Sequence, residues 1–265
     1  MPFYIAKGYS LPPTSSKSSL HFFISYSGNS EETVSCFSEA ISRGLPSIAF
    51  ATGGKLEEMS KKSGTQFVKI PKGIQPRCST GHLLASQLIA LANSGIIPEQ
   101  GKALQALSNE LSGFPRKAEA KALASQLIGK LPVIYAPEDL RTLSFVWKIK
   151  FNENAKVQAF SGELPDMNHN DMSGYLGTKG LHAIFLRDPN SHAKIRSRME
   201  ATKSIIESTG NRASIIEMQG PTRLSRMMSC VYFADWASYS LAELLGTDPE
   251  PVELQEAFKK RIQQA

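Results

Sequence analysis

Residues 20–70 read LHFFISYSGNSEETVSCFSEAISRGLPSIAFATGGKLEEMSKKSGTQFVKI, and this stretch decides the fold. Leu20–Ser25 (LHFFIS) is rich in aromatic and β-branched residues and predicts a strand. A polar loop with one glycine follows. Ser30–Arg43 then places Val34, Phe37 and Ile41 on one helical face, and Gly44 stands where a left-handed residue stops a helix. Pro46–Ala51 (PSIAFA) predicts another strand, Lys55–Lys62 a short helix, and Gln66–Ile70 a strand ahead of Pro71. Strand, helix, strand, helix, strand at this spacing is the pattern of a doubly wound parallel sheet.

Working outward, Phe3–Ala6 reads as a short apolar strand upstream, while Gly81–Ser94 and Pro98–Leu111 read as helices downstream. Ser112-Gly113-Phe114-Pro115 interrupts the pattern and sets the expected domain boundary, giving domains 1–113 and 114–265. A Lys- and Ala-rich helix to Ile128 opens the second α/β run. Strand Pro132–Ala136 and helix Glu138–Phe151 follow, the helix with Leu140, Leu143, Trp147 and Phe151 on one face. Strands are then expected at Val157–Phe160, Leu181–Leu186 and Ala213–Met218, with helices at His192–Thr209, Thr222–Leu245 and Val252 onward. The fold class is therefore α/β: two doubly wound parallel-sheet αβα domains plus a C-terminal helix.

Composition narrows the class. Of 265 residues, 41% are hydrophobic and 20% charged, which supplies a core and argues against disorder. The 3 cysteines (Cys36, Cys78, Cys230) are far apart and form no CxxC, which excludes a disulfide scaffold and a cysteine zinc site and suits a reducing cytoplasm. No run of 18 apolar residues and no charged n-region followed by an apolar stretch is present, so neither a membrane span nor a signal peptide is expected. Lys+Arg exceed Asp+Glu by 30 to 24, a net charge of +6. These charges are dispersed rather than striped with aromatics, which speaks against nucleic acid and fits an anionic substrate.

Ser25-Tyr26-Ser27-Gly28-Asn29-Ser30-Glu31-Glu32-Thr33 lies where a strand ends and a helix begins. Hydroxyls, a glycine and the free N–H groups of a helix N-terminus can wrap a phosphate there. Plain N-capping by Ser30, with Glu31 and Glu32 complementing the helix dipole, fits the same residues equally well.

This Ser-x-Ser-Gly-x-Ser/Thr-x-Glu-Thr string resembles the phosphate loop of sugar isomerase (SIS) domains. Further motifs occur in order: Thr52-Gly53-Gly54-Lys55-Leu56, Pro76-Arg77, Phe151-Asn152-Glu153-Asn154-Ala155-Lys156, Glu163-Leu164-Pro165 with His169-Asn170, and Pro249–Ile262. Together, over nearly the whole chain, they resemble the bifunctional phosphoglucose/phosphomannose isomerases, built of two SIS domains. The resemblance implies a cytoplasmic aldose–ketose isomerase of carbohydrate metabolism. It would interconvert glucose 6-phosphate, and mannose 6-phosphate, with fructose 6-phosphate through a cis-enediol, without cofactor or metal. A homodimer with a shared active site is implied as well.

By the same resemblance Ser25, Ser27 and Ser30 would hold the sugar phosphate. Glu153 would be the base, and His169 would assist ring opening, reaching over from a neighbouring subunit. Arg77 would stabilise the enediolate oxygen, and Lys259 would complete the site. The chemistry is consistent: proton transfer next to a carbonyl needs a positioned carboxylate, imidazole titrates near neutrality, and a cation acts on a developing oxyanion. Read singly, Glu153, His169, Arg77 and Lys259 also fit ordinary solvated roles, and His21, His82, His182 and His192 take structural ones, with His82 placed to line the cleft. A non-catalytic sugar-phosphate-binding SIS protein is the alternative; an amidotransferase-type isomerase half is a weaker one.

The chain also departs from the family pattern. It starts at the strand after the family's Gly-Gly-Ser segment, which should leave Phe3–Ala6 without its partner and Leu20–Ser25 with an unpaired edge. Glu250-Pro251-Val252 replaces Thr-Pro-Val, which weakens the expectation of mannose activity, and Ser30 replaces the commoner threonine.

Overall fold

The run at 20–70 folds as three parallel strands with two helices between them. The computed structural model describes residues 2–262. Strand β1 (His21–Ile24) leads through α1 (Glu31–Ser42) to β2 (Ser47–Ala51), and α2 (Gly54–Ser63) leads on to β3 (Gln66–Lys69). The sheet order is β1-β2-β3, all parallel. Alternation along the strands sorts the side chains. Phe23, Ala49 and Ala51 meet Phe37 and Ala40 of α1 and Leu56 of α2, with Phe23 and Phe37 ring centroids 5.0 Å apart. Phe22 and Phe50, centroids 4.9 Å apart, occupy the other face. Helices α3 (Thr80–Asn93) and α4 (Gly101–Leu111) follow, and the chain divides into two compact units between Leu104 and Gln105, inside α4.

Phe3–Ala6 is not a strand, contrary to expectation. Phe3, Tyr4 and Ile5 are exposed, and among the described residues β1 pairs with β2 alone. Apolar β-branched character cannot hold a strand that has no neighbouring ladder for its N–H and C=O groups. The following segment lies along α1 instead, through Ser35 Oγ donating to Tyr9 O (2.8 Å), Leu11 N–H donating to Glu39 Oε2 (3.0 Å) and Arg43 donating to Ser15 O (2.7 Å).

The second unit shows the doubly wound arrangement in full. Helix α5 (Lys117–Gln126) precedes β4 (Leu131–Pro137), α6 (Arg141–Lys150), β5 (Phe160–Leu164), the short α7 (Gly174–Gly177) and β6 (Leu181–Arg187). Helix α8 (Ala193–Ser208), β7 (Arg212–Glu217), α9 (Arg223–Leu245) and α10 (Glu253–Ile262) complete it. The parallel sheet has the order β5-β4-β6-β7. Ile134 and Ala136 of β4 face a core with α5, α6 and α9; Val133 and Tyr135 face Leu164, Met199 and Ile206 on the other side. Within the first core Trp147 stacks on Phe233 at 5.6 Å. Among the described residues no helix is long and apolar enough to cross a membrane.

Two boundaries differ from the sequence reading, and they are linked. The helix expected over Glu138–Phe151 is a 3-10 turn at Glu138–Leu140, then α6, then a π turn over Phe151–Ala155. That wider turn, ended by Lys156 at φ +56°, carries the helix past its expected end at Phe151. The strand expected at Val157–Phe160 therefore starts at Phe160, which pairs with Val133, and carries Glu163 within it.

His182 on β6 is buried, with Nε2 2.8 Å from Ser214 Oγ of β7. Burial pushes its imidazole down to about 4. Because the folded value lies below the ordinary one of about 6.5, its contribution to stability is whole above pH ~6.5 and is lost as pH falls toward 4. We expect the thermal midpoint of the parent to fall over that window by an amount reflecting up to about 3 kcal/mol from this group. In His182→Gln the fall should be shallower; parallel curves for the two proteins would refute the assignment.

Candidate active site

The loop after β1 is organised by one hydroxyl. Ser25, buried at the end of β1, accepts N–H bonds from Gly28 (3.1 Å) and, more weakly, from Ser30 (3.4 Å), and its Oγ lies 2.9 Å from Ser30 Oγ. Either hydroxyl of the pair can be the donor, and each can turn its proton outward. Ser30 heads α1 without bonding the helix's own N–H groups. It thus stands at the N-cap position, but its hydroxyl makes no capping bond and pairs with Ser25, while Glu31 and Glu32 occupy the first turn of the helix. Ser27 is exposed and accepts from Asn29 N–H at 3.2 Å.

A second loop, after β2, closes on the first. Thr52 N–H donates to Tyr26 O (2.8 Å), Leu56 N–H to Gly28 O (3.0 Å) and Lys55 N–H to Asn29 Oδ1 (3.0 Å). Gly28 has φ +74°, and a Cβ there would lie 1.8 Å from Gly53 O. Glu57 stands beside Gly53, yet Lys69 at 2.7 Å and Lys61 at 3.1 Å neutralise it and hold its carboxyl below the usual range. The mouth of the loop is thereby spared a bare carboxylate. Arg77, in the 3-10 turn Pro76–Cys78, is half-buried with Nη1 3.5 Å from Gln75 Oε1, and His82 at the start of α3 is exposed.

In the second unit Glu153 sits in the π turn, half-buried. Its neighbours anchor the turn: Asn152 Oδ1 accepts from Ala159 N–H (2.9 Å), Asn154 Nδ2 donates to Ser238 Oγ (2.9 Å), and Lys150 one turn earlier pairs with Asp235 (2.6 Å). Glu153 lines a cavity of about 510 Å³ whose wall also includes Thr247, Asp248 and Pro251–Gln255. The first turn of α10 is thus part of that wall, and Lys259 lies further along the same helix, exposed and paired with Glu256 at 2.6 Å. Glu250 does not line the cavity, although Pro251 and Val252 beside it do. His169 is exposed on the loop after β5. That loop is shaped by Asn168 Nδ2 donating to Thr202 Oγ1 (2.7 Å) and Asn170 Nδ2 donating to Asp166 Oδ2 (2.9 Å). Ser25 and Ser30 are brought into contact; Ser27 and Arg77 are placed on separate turns of the first unit, and Glu153, His169 and Lys259 on three elements of the second. Among the described residues no group of three His, Cys, Asp or Glu is arranged to hold a metal.

Residues 116–262 match the family described as bacterial phospho-glucose isomerase C-terminal SIS domain. Over 265 residues the chain is 36% identical to a bifunctional phosphoglucose/phosphomannose isomerase of Aquifex aeolicus, covering 98% of this chain and 81% of that protein. This chain belongs to that family. A second member, from Thermoplasma volcanium, is 33% identical, with 98% of this chain and 83% of that protein covered. The fold also resembles that of glucosamine-6-phosphate deaminase from Thermotoga maritima, at a TM-score of 0.68 and 14% identity, over 90% of this chain and 74% of that one. The α/β architecture of both units is thus of the SIS type.

Asn152, Asn154 and Lys156 lie within the Phe151–Lys156 motif, but the resemblance gave them no role. A lysine in the left-handed region leaves no composition signal, and asparagines beside a helix end read as a simple C-terminus.

Gly28 gives the site its sharpest test. A methyl group there must displace the Gly53 carbonyl while φ stays positive, at a cost of at least ~2 kcal/mol. Gly28→Ala is expected to lower the thermal midpoint by roughly 4–8 °C and to abolish the rise in midpoint that inorganic phosphate gives the parent. A variant that melts with the parent and still responds to phosphate would show that the two loops do not lock here.

Proposed function

We propose that this protein interconverts glucose 6-phosphate and fructose 6-phosphate, with mannose 6-phosphate as a second aldose. The serine pair at the head of α1 carries the reading, in a chain of this family whose Glu153 lines a cavity. The substrate phosphate docks on Ser25, Ser27 and Ser30, where helix N–H groups and hydroxyl protons converge on an anion. Glu153 then moves the proton between C2 and C1, which needs a carboxylate held close to carbon rather than a strong base in water. As the enediolate forms, the cation of Arg77 acts mainly in the transition state. His169 gives and takes the ring-oxygen proton, and from a second copy of the chain it completes the partner's site; Lys259 on α10 adds a second cation. No step calls on a cofactor or a metal ion.

The other reading, a sugar-phosphate-binding protein without catalysis, uses the serine loop and leaves Glu153 idle. The two part on one assay. Purified protein with fructose 6-phosphate and EDTA is expected to form glucose 6-phosphate, with mannose 6-phosphate as a minor product. Glu153→Gln should cut turnover by roughly 10²–10⁴-fold while phosphate still raises the thermal midpoint. Turnover unchanged in Glu153→Gln removes the base assignment; no product from folded parent protein that still binds phosphate favours the binding protein.

A further inference from the structure

Between the π turn and the last helix lies one side chain with no part in the chemistry above. Lys156 has φ +56°, the only described residue other than glycine in the left-handed region, where a Cβ is sterically disfavoured. The conformation sends its side chain back across the turn. Nζ donates to Glu153 O (2.6 Å), to Pro251 O (2.6 Å) and to Pro249 O (3.3 Å). An ammonium has three donors, and three backbone carbonyls lie within hydrogen-bond reach of it. One acceptor belongs to the turn that bears Glu153; the other two belong to the strap Asp248-Pro249-Glu250-Pro251, more than ninety residues on.

The strap suits such a tether. Its two prolines have no N–H to donate, so it cannot join a ladder through them, and their carbonyls are left for an outside donor. Glu250 N–H turns inward to Asp248 Oδ1 at 2.9 Å. Beyond the strap, α10 has no buried residue among those described, and Leu254 and Phe258 are exposed. Little apolar packing therefore holds the helix in place, and the strap must do so. Asn152 and Glu153 of the turn and Asp248 and Pro251 of the strap line the same cavity, so a contact joining the two segments bears on its shape.

We propose that Lys156 is a positioning residue: its ammonium clamps the strap to the π turn, setting the placement of α10 and Lys259 relative to Glu153. The catalytic consequence rests on Glu153 acting as the base; the clamp itself does not. Substrate affinity should depend little on it, since the phosphate grip belongs to the serine loop of the first unit. Turnover should depend on it strongly, because a shift of about 1 Å in a reacting group costs on the order of 10²-fold.

Lys156→Met keeps the backbone preference and stem but removes every donor, and Lys156→Arg keeps the charge with a fork that cannot reach all three carbonyls equally. Hydrogen–deuterium exchange of residues 252–262 and steady-state kinetics on fructose 6-phosphate would be measured for parent and both variants. In Lys156→Met we expect exchange of that segment to rise at least about tenfold and kcat to fall roughly 10–100-fold, with KM within about threefold. Lys156→Arg should recover part of both. Unchanged exchange in Lys156→Met overturns the clamp, and faster exchange with parental kcat overturns its role in positioning. Were the parent itself inactive, the isomerase reading would fall while the exchange result still decided the clamp.

Discussion

Gly28 meets Gly53 backbone to backbone, with no room for a Cβ between them, and the head of the first sheet is arranged around that approach. In a parallel sheet the carboxyl ends of neighbouring strands lie at the same edge, so the loops after β1 and β2 must share space. Glycine lets them do so by interlocking. The reward is that Leu56 N–H and Lys55 N–H are used up in holding the first loop, while Ser30 is drawn onto Ser25 instead of onto its own helix. The helix start keeps the N–H groups that a capping hydroxyl would have taken, with Glu31 and Glu32 in its first turn.

In the second unit the organising constraint is the extra residue of the π turn. An α-helix continued through Phe151–Ala155 would rotate each side chain by a regular 100°, whereas a π turn widens the helix locally and re-aims what it carries. Asn152 and Asn154 are aimed at protein partners on either side, at Ala159 N–H and Ser238 Oγ, and the residue between them lines the cavity. Glu153 is thus directed by its neighbours' bonds as much as by its own backbone.

Much of this architecture is legible in the sequence because it rests on local composition and spacing. The aromatic and β-branched run Leu20–Ser25, the apolar run Pro46–Ala51 and the helical spacing of Val34, Phe37 and Ile41 locate β1, β2 and α1. Phe3–Ala6 has the same local character and no strand, because pairing is a property of the neighbour rather than of the segment. Val157–Phe160 misleads for another reason: the register of β5 is set by where the π turn releases the chain, and π geometry has no residue preference to read. The serine loop was ambiguous between a cap and an anion site on residue types alone. The 2.9 Å contact between Ser25 and Ser30 shows that the Ser30 hydroxyl does not cap its own helix, and loop geometry of that kind leaves no trace in residue type.

The seam between α6 and α9 shows how such facts act at a distance from the chemistry. Trp147 Nε1–H donates to Cys230 O at 3.1 Å, Lys150 pairs with Asp235 at 2.6 Å, and Asn154 reaches Ser238. For adhesion alone, well-packed apolar side chains would serve as well, since a buried ion pair loses in desolvation about what it gains in attraction. Polar links differ in being directional. Three of them, spaced along one face of the helix and into its final turn, fix the rotation of that turn about its axis as well as its distance from α9. An apolar seam holds two helices together without fixing their rotation, whereas directional bonds at Trp147, Lys150 and Asn154 restrict it.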